Sequence, residues 1–401
     1  MRKAGPQVRT QIGVGGFEIS QRAKDLVAEV LDSNRITSGP KMASFEERFA
    51  KAHDCRFAVM SNSGTSCLQV ALAALKEVRG WEDGDEVLVP AVTFVASSNV
   101  VMYNGLKPVF VDVEPEYYTI DPGRIEERIT GRTRAIMPVH LAGLPCDMDP
   151  ILDLAERHGL SIVEDSCETM FARYKGRTVG SFGEIACFST YAAHVITTGV
   201  GGLCTTSDPE LIVLLRSLIN HGRDSIYIRM DDDQDHGDLF AVADRRFSFV
   251  RLGHSFRATE MEAALGLAGM EAKDESISRR RELAGILSDG LEDLSEFLQL
   301  PVVRPECDHV FMFYPILLRE PGGERDNLIR YLEDRAIETR YLLPLINQPI
   351  YRALFGDLDD EFPVAARLNE RAFYIGCHPA ITDEEAHYVI RTFHDYFTGS
   401  G

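Results

Sequence analysis

The sequence predicts an α/β fold, with a three-layer α/β/α large domain around a mostly parallel sheet and a smaller α+β domain at the C-terminal end. Two observations support this prediction. Short apolar runs alternate with longer helical patterns through the first half of the chain. Those runs are apolar along most of their length, which is typical of strands covered by helices on both faces.

Six apolar runs are predicted to be strands of the large domain: 86–90, 107–113, 134–140, 161–165, 184–189 and 201–207. Three stretches between them have helical patterns: 66–78, 147–159 and 209–222. The acidic, irregular stretch 229–246 interrupts this alternation and predicts a surface loop.

The C-terminal part begins with a long amphipathic pattern over 258–294, which predicts a helix bridging the two domains. The remaining predicted elements are one strand and two helices: 310–318, 324–336 and 382–397. We therefore expect residues 1–255 to form the large domain, and residues 256–401 to form the linker helix and the small domain.

Composition limits the possible functions. The chain has 401 residues and a formal net charge of −20, so bulk charge does not favour nucleic acid or an anionic membrane. No apolar run approaches the roughly 20 residues of a membrane span, and the N-terminus lacks the apolar stretch of a signal peptide. We expect a cytoplasmic protein. The eight cysteines include no C-x-C or C-x-x-C pair, which favours free thiols over a metal or iron–sulfur site.

The segment SNSGTS, residues 61–66, immediately precedes an apolar helical run. A helix N-terminus presents free backbone N–H groups and the positive end of the helix dipole, and both suit a phosphate. Gly64, Thr65 and Ser66 are the candidate ligands. Ordinary N-capping by Ser or Thr explains the same pattern.

Asp165 stands at the C-terminal end of the predicted strand 161–165, where α/β folds place ligand-binding residues. A carboxylate buried there needs a cationic partner. A protonated pyridine nitrogen is one such partner, and the pair keeps the ring an electron sink. A helix cap or an ion pair with a nearby arginine is the alternative.

The order of several segments resembles the DegT/DnrJ/EryC1/StrS sugar aminotransferase family, whose members have the fold of pyridoxal phosphate (PLP)-dependent transferases. The similarity runs from about Gly15 to about Phe397. Its landmarks are SNSGTS, VPAVTFVASSNVV, FVDVEPEYYTID, PVHLAGLPCDMDPI, VEDSCE, FSTYAAHVITTGVGG and GHSFRATEMEAALG.

The resemblance assigns roles to individual residues. It places Asp165 on the pyridine nitrogen and Phe94 over the ring. It places three hydroxyl residues at the cofactor phosphate: Thr65, Ser66 and Ser189.

Two positions depart from the family pattern. Glu168 stands where the family usually has Gln or His near the ring hydroxyl. Ser255 stands where the family commonly has Asn reaching the phosphate from a partner subunit. The resemblance also implies a homodimer with sites at its interface.

The largest departure is His194. The family usually has a lysine here that binds the cofactor covalently as an imine, and none of the eight lysines of this chain matches that position. Imidazole has no primary amine, so the resemblance implies noncovalently bound PLP or its amine form, pyridoxamine phosphate (PMP). With a reference pKa of roughly 6.5, histidine suits proton transfer near neutrality.

Histidine at this place resembles the 3-dehydratase branch of the family, which acts on keto-sugar nucleotides. That branch typically reads P-A-H-H where this chain reads A-A-H-V. Three functions stay open: a 3-dehydratase regenerated by glutamate, a sugar aminotransferase using glutamate, and an inactive cofactor-binding regulatory protein.

Four further residues are candidates for contact with substrate. His140 ends the predicted strand 134–140 beside the site, and three arginines could bind substrate or nucleotide phosphate: Arg223, Arg257 and Arg340. Surface positions and ion pairs are the more common roles of such arginines.

Overall fold

The computed structural model describes residues 11–16, 18–224 and 247–399. The stretch 229–246, predicted to be a surface loop, lies outside the described residues. Within the described residues the chain has the predicted α/β architecture, with a mostly parallel central sheet.

The described strands follow in chain order: β1 (Phe57–Ser61), β2 (Glu86–Pro90), β3 (Lys107–Val111), β4 (Thr133–Ile136), β5 (Ser161–Asp165), β6 (Arg173–Tyr174), β7 (Arg177–Thr178), β8 (Ile185–Ser189), β9 (Gly202–Thr206), β10 (Leu298–Gln299), β11 (Cys307–Asp308), β12 (Phe313–Leu318), β13 (Thr339–Tyr341) and β14 (Ala372–Gly376). The described α-helices are α1 (Gln21–Ser33), α2 (Pro40–Ala52), α3 (Gly64–Arg79), α4 (Val95–Tyr103), α5 (Met148–His158), α6 (Pro209–Ile219), α7 (Glu260–Leu291), α8 (Arg325–Glu333), α9 (Pro349–Phe355), α10 (Pro363–Arg371) and α11 (Asp383–Thr398).

The central sheet has seven strands in the order β1-β9-β8-β5-β4-β2-β3. Strand β9 runs antiparallel to both of its neighbours, and the other strands run parallel to one another. The carboxyl ends of β5 and β8 therefore lie at the same edge, and ligand sites of open α/β sheets form at that edge.

Helices cover both faces of this sheet. On one face, Ile185 and Cys187 of β8 belong to a core shared with α3, α4 and α6. On the other face, Ala186 and Phe188 pack with α1, α2 and the first half of α7, while α5 covers β2, β4 and β5. Alternate residues of a strand thus enter different cores, so every position of β8 is buried.

The C-terminal part contains a four-stranded antiparallel sheet in the order β10-β12-β14-β13. Helix α7 connects the two parts, because its first half packs on α1 and α2 and its second half shares a core with β12, β14 and α11. This arrangement matches the bridging helix expected over 258–294. The division at residues 255 and 256 stays a prediction.

Some elements differ from the sequence predictions. Strand β1 was not predicted, and neither were α1, α2, α4, β13 and β14. Strand β4 ends at Ile136 rather than at residue 140, because Pro138 has no N–H to donate to a sheet neighbour. None of the described helices is long and apolar enough to cross a membrane. All eight cysteines are free thiols, five of them buried.

Candidate active site

Asp165 ends β5 with its side chain buried and its two carboxylate oxygens held by different donors. The Ser97 hydroxyl donates to Oδ2 over 2.6 Å, and the Cys167 backbone N–H donates to Oδ1 over 3.1 Å. No lysine, arginine or histidine of the described residues forms an ion pair with this carboxylate, and burial raises its pKa. A protonated ring nitrogen would supply the missing positive charge, so the residue fits a pyridoxal cofactor.

The N-terminus of α3 lies against the end of β8. Ser63 caps the helix, with its Oγ accepting from the Ser66 N–H over 3.0 Å. A Cβ at Gly64 would lie 2.8 Å from the Cβ of Ser189 and 2.7 Å from the Cys167 Sγ. Only glycine allows this approach, which brings the helix N-terminus and Ser189 together as a phosphate site requires.

The two other hydroxyls of the loop differ. The Ser66 hydroxyl donates to Asn62 Oδ1 over 2.7 Å and accepts from the Ser63 hydroxyl over 2.9 Å. Thr65 is exposed. Of this pair, Thr65 is the hydroxyl available to an incoming phosphate, while Ser66 fixes the shape of the loop.

Phe94 precedes α4, and its side chain is 58% exposed. An exposed aromatic ring of this kind can stack on a planar ligand. The helix that follows also supplies Ser97, whose hydroxyl contacts Thr93 over 2.8 Å as well as Asp165. Sequence reasoning missed Ser97; its signal was the i,i+4 spacing from Thr93 at a helix start.

Glu168 is half-buried in the turn after β5. Its Oε2 accepts from the Ala142 N–H over 3.0 Å, and burial raises its pKa to about 8. At neutral pH most of this side chain is therefore the uncharged acid, which can donate a hydrogen bond. Gln and protonated His are donors too, so an uncharged Glu168 is compatible with the role predicted for it near the ring hydroxyl.

His194 lies half-buried in the loop between β8 and β9. Its Nδ1 is 2.5 Å from the Cys167 carbonyl oxygen. Since a carbonyl only accepts, Nδ1 bears the proton and Nε2 keeps a lone pair in the neutral ring. The pKa of His194 is lowered to about 4, chiefly by burial and also by the Arg280 charge, although the backbones of Cys167 and Ser189 favour the protonated ring. The reference pKa of roughly 6.5 used in the sequence prediction does not hold here.

The contacts converge on the turn Asp165–Glu168. Cys167 donates its N–H to Asp165, accepts from His194 through its carbonyl, and places its sulfur against the start of α3 at Gly64. The candidate ring, phosphate and proton-transfer groups are thus linked through one residue. The sequence could not predict this role for Cys167, because two of the three contacts are made by its backbone, which every residue type has.

Ser255 is exposed, and its hydroxyl accepts from Arg257 over 2.8 Å. None of its described contacts reaches the turn at Asp165. Its proposed role requires a partner subunit, so it stays a prediction.

The four substrate candidates are not brought together with His194. His140 is fully buried: its Nδ1 accepts from the Cys146 N–H over 3.0 Å, and its Nε2 lies 3.1 Å from Glu164, so neither ring nitrogen is left for a substrate. Arg223 and Arg257 line a small cavity beside α2 and α6, and Arg340 pairs with Glu338 on the surface.

Comparisons with known proteins identify the family of the chain. The family model described as DegT/DnrJ/EryC1/StrS aminotransferase family matches residues 18–394. GDP-perosamine synthase of Caulobacter vibrioides is 35% identical over 383 residues, which cover 95% of this chain and 96% of that protein. The dTDP-4-dehydro-2,6-dideoxy-D-glucose 3-dehydratase of Saccharopolyspora spinosa is 33% identical, over 98% of this chain and 87% of that one.

A solved structure is also similar. The Escherichia coli GDP-4-keto-6-deoxy-D-mannose-3-dehydratase with bound hydrated PLP has a TM-score of 0.86 and 25% identity, covering 96% of this chain and all of that chain. The chain therefore belongs to the DegT/DnrJ/EryC1/StrS aminotransferase family. It is an enzyme of the PLP-dependent type.

Proposed function

We propose that the chain is a keto-sugar nucleotide 3-dehydratase that holds its cofactor noncovalently and uses His194 to move protons. The observation that supports this most directly is the short contact between Nδ1 of His194 and the Cys167 carbonyl oxygen. Nδ1 is committed to the Cys167 carbonyl, so Nε2 is the atom that accepts a proton and later returns it to the departing hydroxyl. Both a neutral ring and an available lone pair are required of a base.

Noncovalent binding is supported by the positions of the lysines. Five described lysines form ion pairs with carboxylates: Lys41, Lys76, Lys107, Lys175 and Lys273. Lys24 and Lys51 are exposed, and Lys3 lies outside the described residues. Lys175, the lysine nearest to His194 in sequence, pairs with Asp149 and is 44% exposed.

The residues that would hold the cofactor act without a covalent bond. Asp165 would bind the ring nitrogen, Phe94 would cover the ring, and Glu168 would donate to the ring hydroxyl. Thr65, at the start of α3, and Ser189 would hold the phosphate. In its amine form the cofactor supplies a primary amine for the substrate ketone and an electron sink.

A sugar aminotransferase is the second candidate, because the GDP-perosamine synthase is as similar to the chain as the dehydratase. The two reactions differ in what happens to nitrogen. A transaminase leaves the nitrogen of glutamate in the sugar, whereas a dehydratase releases it as ammonia and removes one oxygen from the sugar.

The test uses this difference. The protein is incubated with a 4-keto-6-deoxy sugar nucleotide, cofactor and ¹⁵N-glutamate, and the product mass and free ammonia are measured. Loss of oxygen together with labelled ammonia supports the dehydratase. Labelled nitrogen in the sugar contradicts it and assigns the aminotransferase, while cofactor binding without any product favours the regulatory protein.

A homodimer, with Ser255 of one subunit near the phosphate of the other, is part of the same proposal. The exposure of Ser255 is compatible with it. Sedimentation of an active monomer at 44.7 kDa would contradict it.

A further inference from the structure

Arg280 is a buried arginine without an acidic partner. Its side chain is 2% exposed, and no carboxylate of the described residues pairs with it. Its contacts are all to backbone carbonyl oxygens. Nη1 donates to Phe311, Met312 and Cys377 over 3.2, 2.8 and 2.7 Å, and Nη2 reaches the His194 carbonyl oxygen over 3.5 Å.

The unsatisfied part of this guanidinium is one edge. Nη1 has three acceptors, whereas Nη2 has one long contact and the buried Nε has no partner among the described residues. Nε and Nη2 together form the edge through which arginine binds a carboxylate with two parallel hydrogen bonds. A buried positive charge whose bidentate edge is incompletely hydrogen-bonded is costly unless an anion completes it.

Arg280 and His194 line the same cavity, which has a volume of about 420 Å³. This volume is in the range of small-molecule sites. One wall is a face of α7 that begins at Leu265 and ends at Arg280, and the lining residues between them are small: Ala268, Gly269, Ala272 and Ser276. The small side chains leave space for a ligand, and the guanidinium of Arg280 supplies a positive charge. Glu18 is the acidic residue of the lining, and it is exposed.

We propose that this cavity binds a carboxylate through Nε and Nη2 of Arg280 and that, if the reaction is the one proposed above, the bound molecule is the amino-acid donor. The position of His194 in the same wall places the donor beside the proton-transfer group. Arg280 would then serve the donor half of the reaction and not the sugar half.

The test uses glutarate, a dicarboxylate that has no amine and cannot react. Calorimetric titration of the cofactor-loaded protein compares wild type with R280M and R280K. Loss of a charged bidentate contact should weaken glutarate binding roughly ten- to hundredfold in R280M, and less in R280K, which keeps the charge. The matched control is R279M, because Arg279 already pairs with Glu282 and Asp383, and its glutarate affinity should equal that of wild type.

A second variant covers the case in which R280M fails to fold. Ala272→Leu narrows the cavity without touching the guanidinium, and it should weaken glutarate binding at least tenfold. Unchanged glutarate affinity in the folded variants overturns the proposal. The donor and sugar half-reactions are also timed separately: an equal loss in both would show that Arg280 only orders the His194 loop, and would overturn the proposal too.

This outcome is separable from failure of the proposed function. If no sugar nucleotide is converted but the glutarate affinity still depends on Arg280, the proposed carboxylate site is supported and the proposed reaction is refuted. If sugar conversion with supplied PMP is normal but substitutions at Arg280 and Ala272 leave the glutarate affinity unchanged, only the proposed carboxylate site is refuted.

Discussion

Two histidines, the fully buried His53 and the half-buried His194, have pKa values lowered by burial to about 4, yet their surroundings differ. His53 lies among the rings of Phe49, Phe171 and Phe188, with ring centroids 4.2 to 4.6 Å away. Its Nδ1 donates to the Phe49 carbonyl over 3.0 Å, and its Nε2 accepts from the Phe171 N–H over 3.2 Å.

Both nitrogens of His53 are therefore used by the fold, whereas the His194 ring makes one short hydrogen bond, through Nδ1, and only a weaker contact with the Ser189 backbone. The difference shows that a shifted pKa does not by itself identify a reacting group. A base needs an unprotonated nitrogen that the fold has not already engaged. Substitutions at the two residues should separate a histidine that serves chemistry from one that serves stability.

The largest expected effect is that of His194→Asn on turnover. Asparagine keeps a side chain that can donate to the Cys167 carbonyl but cannot take up a proton, so the single-turnover rate should fall by about 10²–10⁴-fold. Cofactor affinity and the thermal midpoint should change little, because the contacts of Asp165 and the α3 loop are untouched. Native turnover in this variant would exclude His194 from the mechanism.

His194→Lys tests how the cofactor is held. A primary amine at this position should react with the cofactor aldehyde, and borohydride should then fix the cofactor to residue 194. Peptide mass mapping of borohydride-treated protein checks this. The wild type is the control, and it should show no reduced adduct on any lysine; an adduct on one of its lysines would refute noncovalent binding.

His53→Leu should cost stability and leave the rate unchanged. The variant leaves the buried Phe171 N–H without its acceptor, which costs roughly 1–3 kcal/mol of unfolding free energy. Chemical denaturation and single-turnover kinetics on the same preparation check both parts. If His53→Leu lost tenfold or more in rate while keeping the stability of wild type, the proposal that His53 serves only stability would be wrong.

The same variant alters the response to acid. A histidine whose folded pKa is depressed binds its proton more readily when unfolded, so its contribution to stability is complete above pH about 6.5 and is lost as the pH falls toward 4. Each such histidine adds at most about 1.4 kcal/mol per pH unit to this slope. Wild type should therefore lose stability over this interval more steeply than His53→Leu.

The smallest effect concerns Glu168. Its raised pKa of about 8 means that the donor form is lost as the pH rises through 8, so cofactor affinity should weaken several-fold above that pH. Glu168→Gln keeps a donor at every pH, and its cofactor affinity should stay level. Equilibrium dialysis from pH 6.5 to 9.5 measures both, and parallel curves for the two proteins would contradict the donor role.

Much of the fold could be predicted because its signals are local. Strands β2 and β5 were predicted with their observed bounds, since their short runs with apolar centres end in Pro90 and Asp165. The position of Asp165 at a strand end, and the histidine in the loop after β8, are also properties of short segments. The positions of these two residues could be predicted from the sequence and from its resemblance to the family.

Tertiary structure decided what depends on distant segments. Strand β1 is five residues long and gains its place by pairing with β9, about 145 residues further along the chain. Arg280 stands in a run of three arginines, Arg279–Arg281, that reads as a solvated helix surface, yet the loops ending near His194, Met312 and Cys377 enclose it. Helical periodicity states which residues share a face, but only the packing of remote loops determines whether that face is buried, and burial is what makes this guanidinium a candidate binding group.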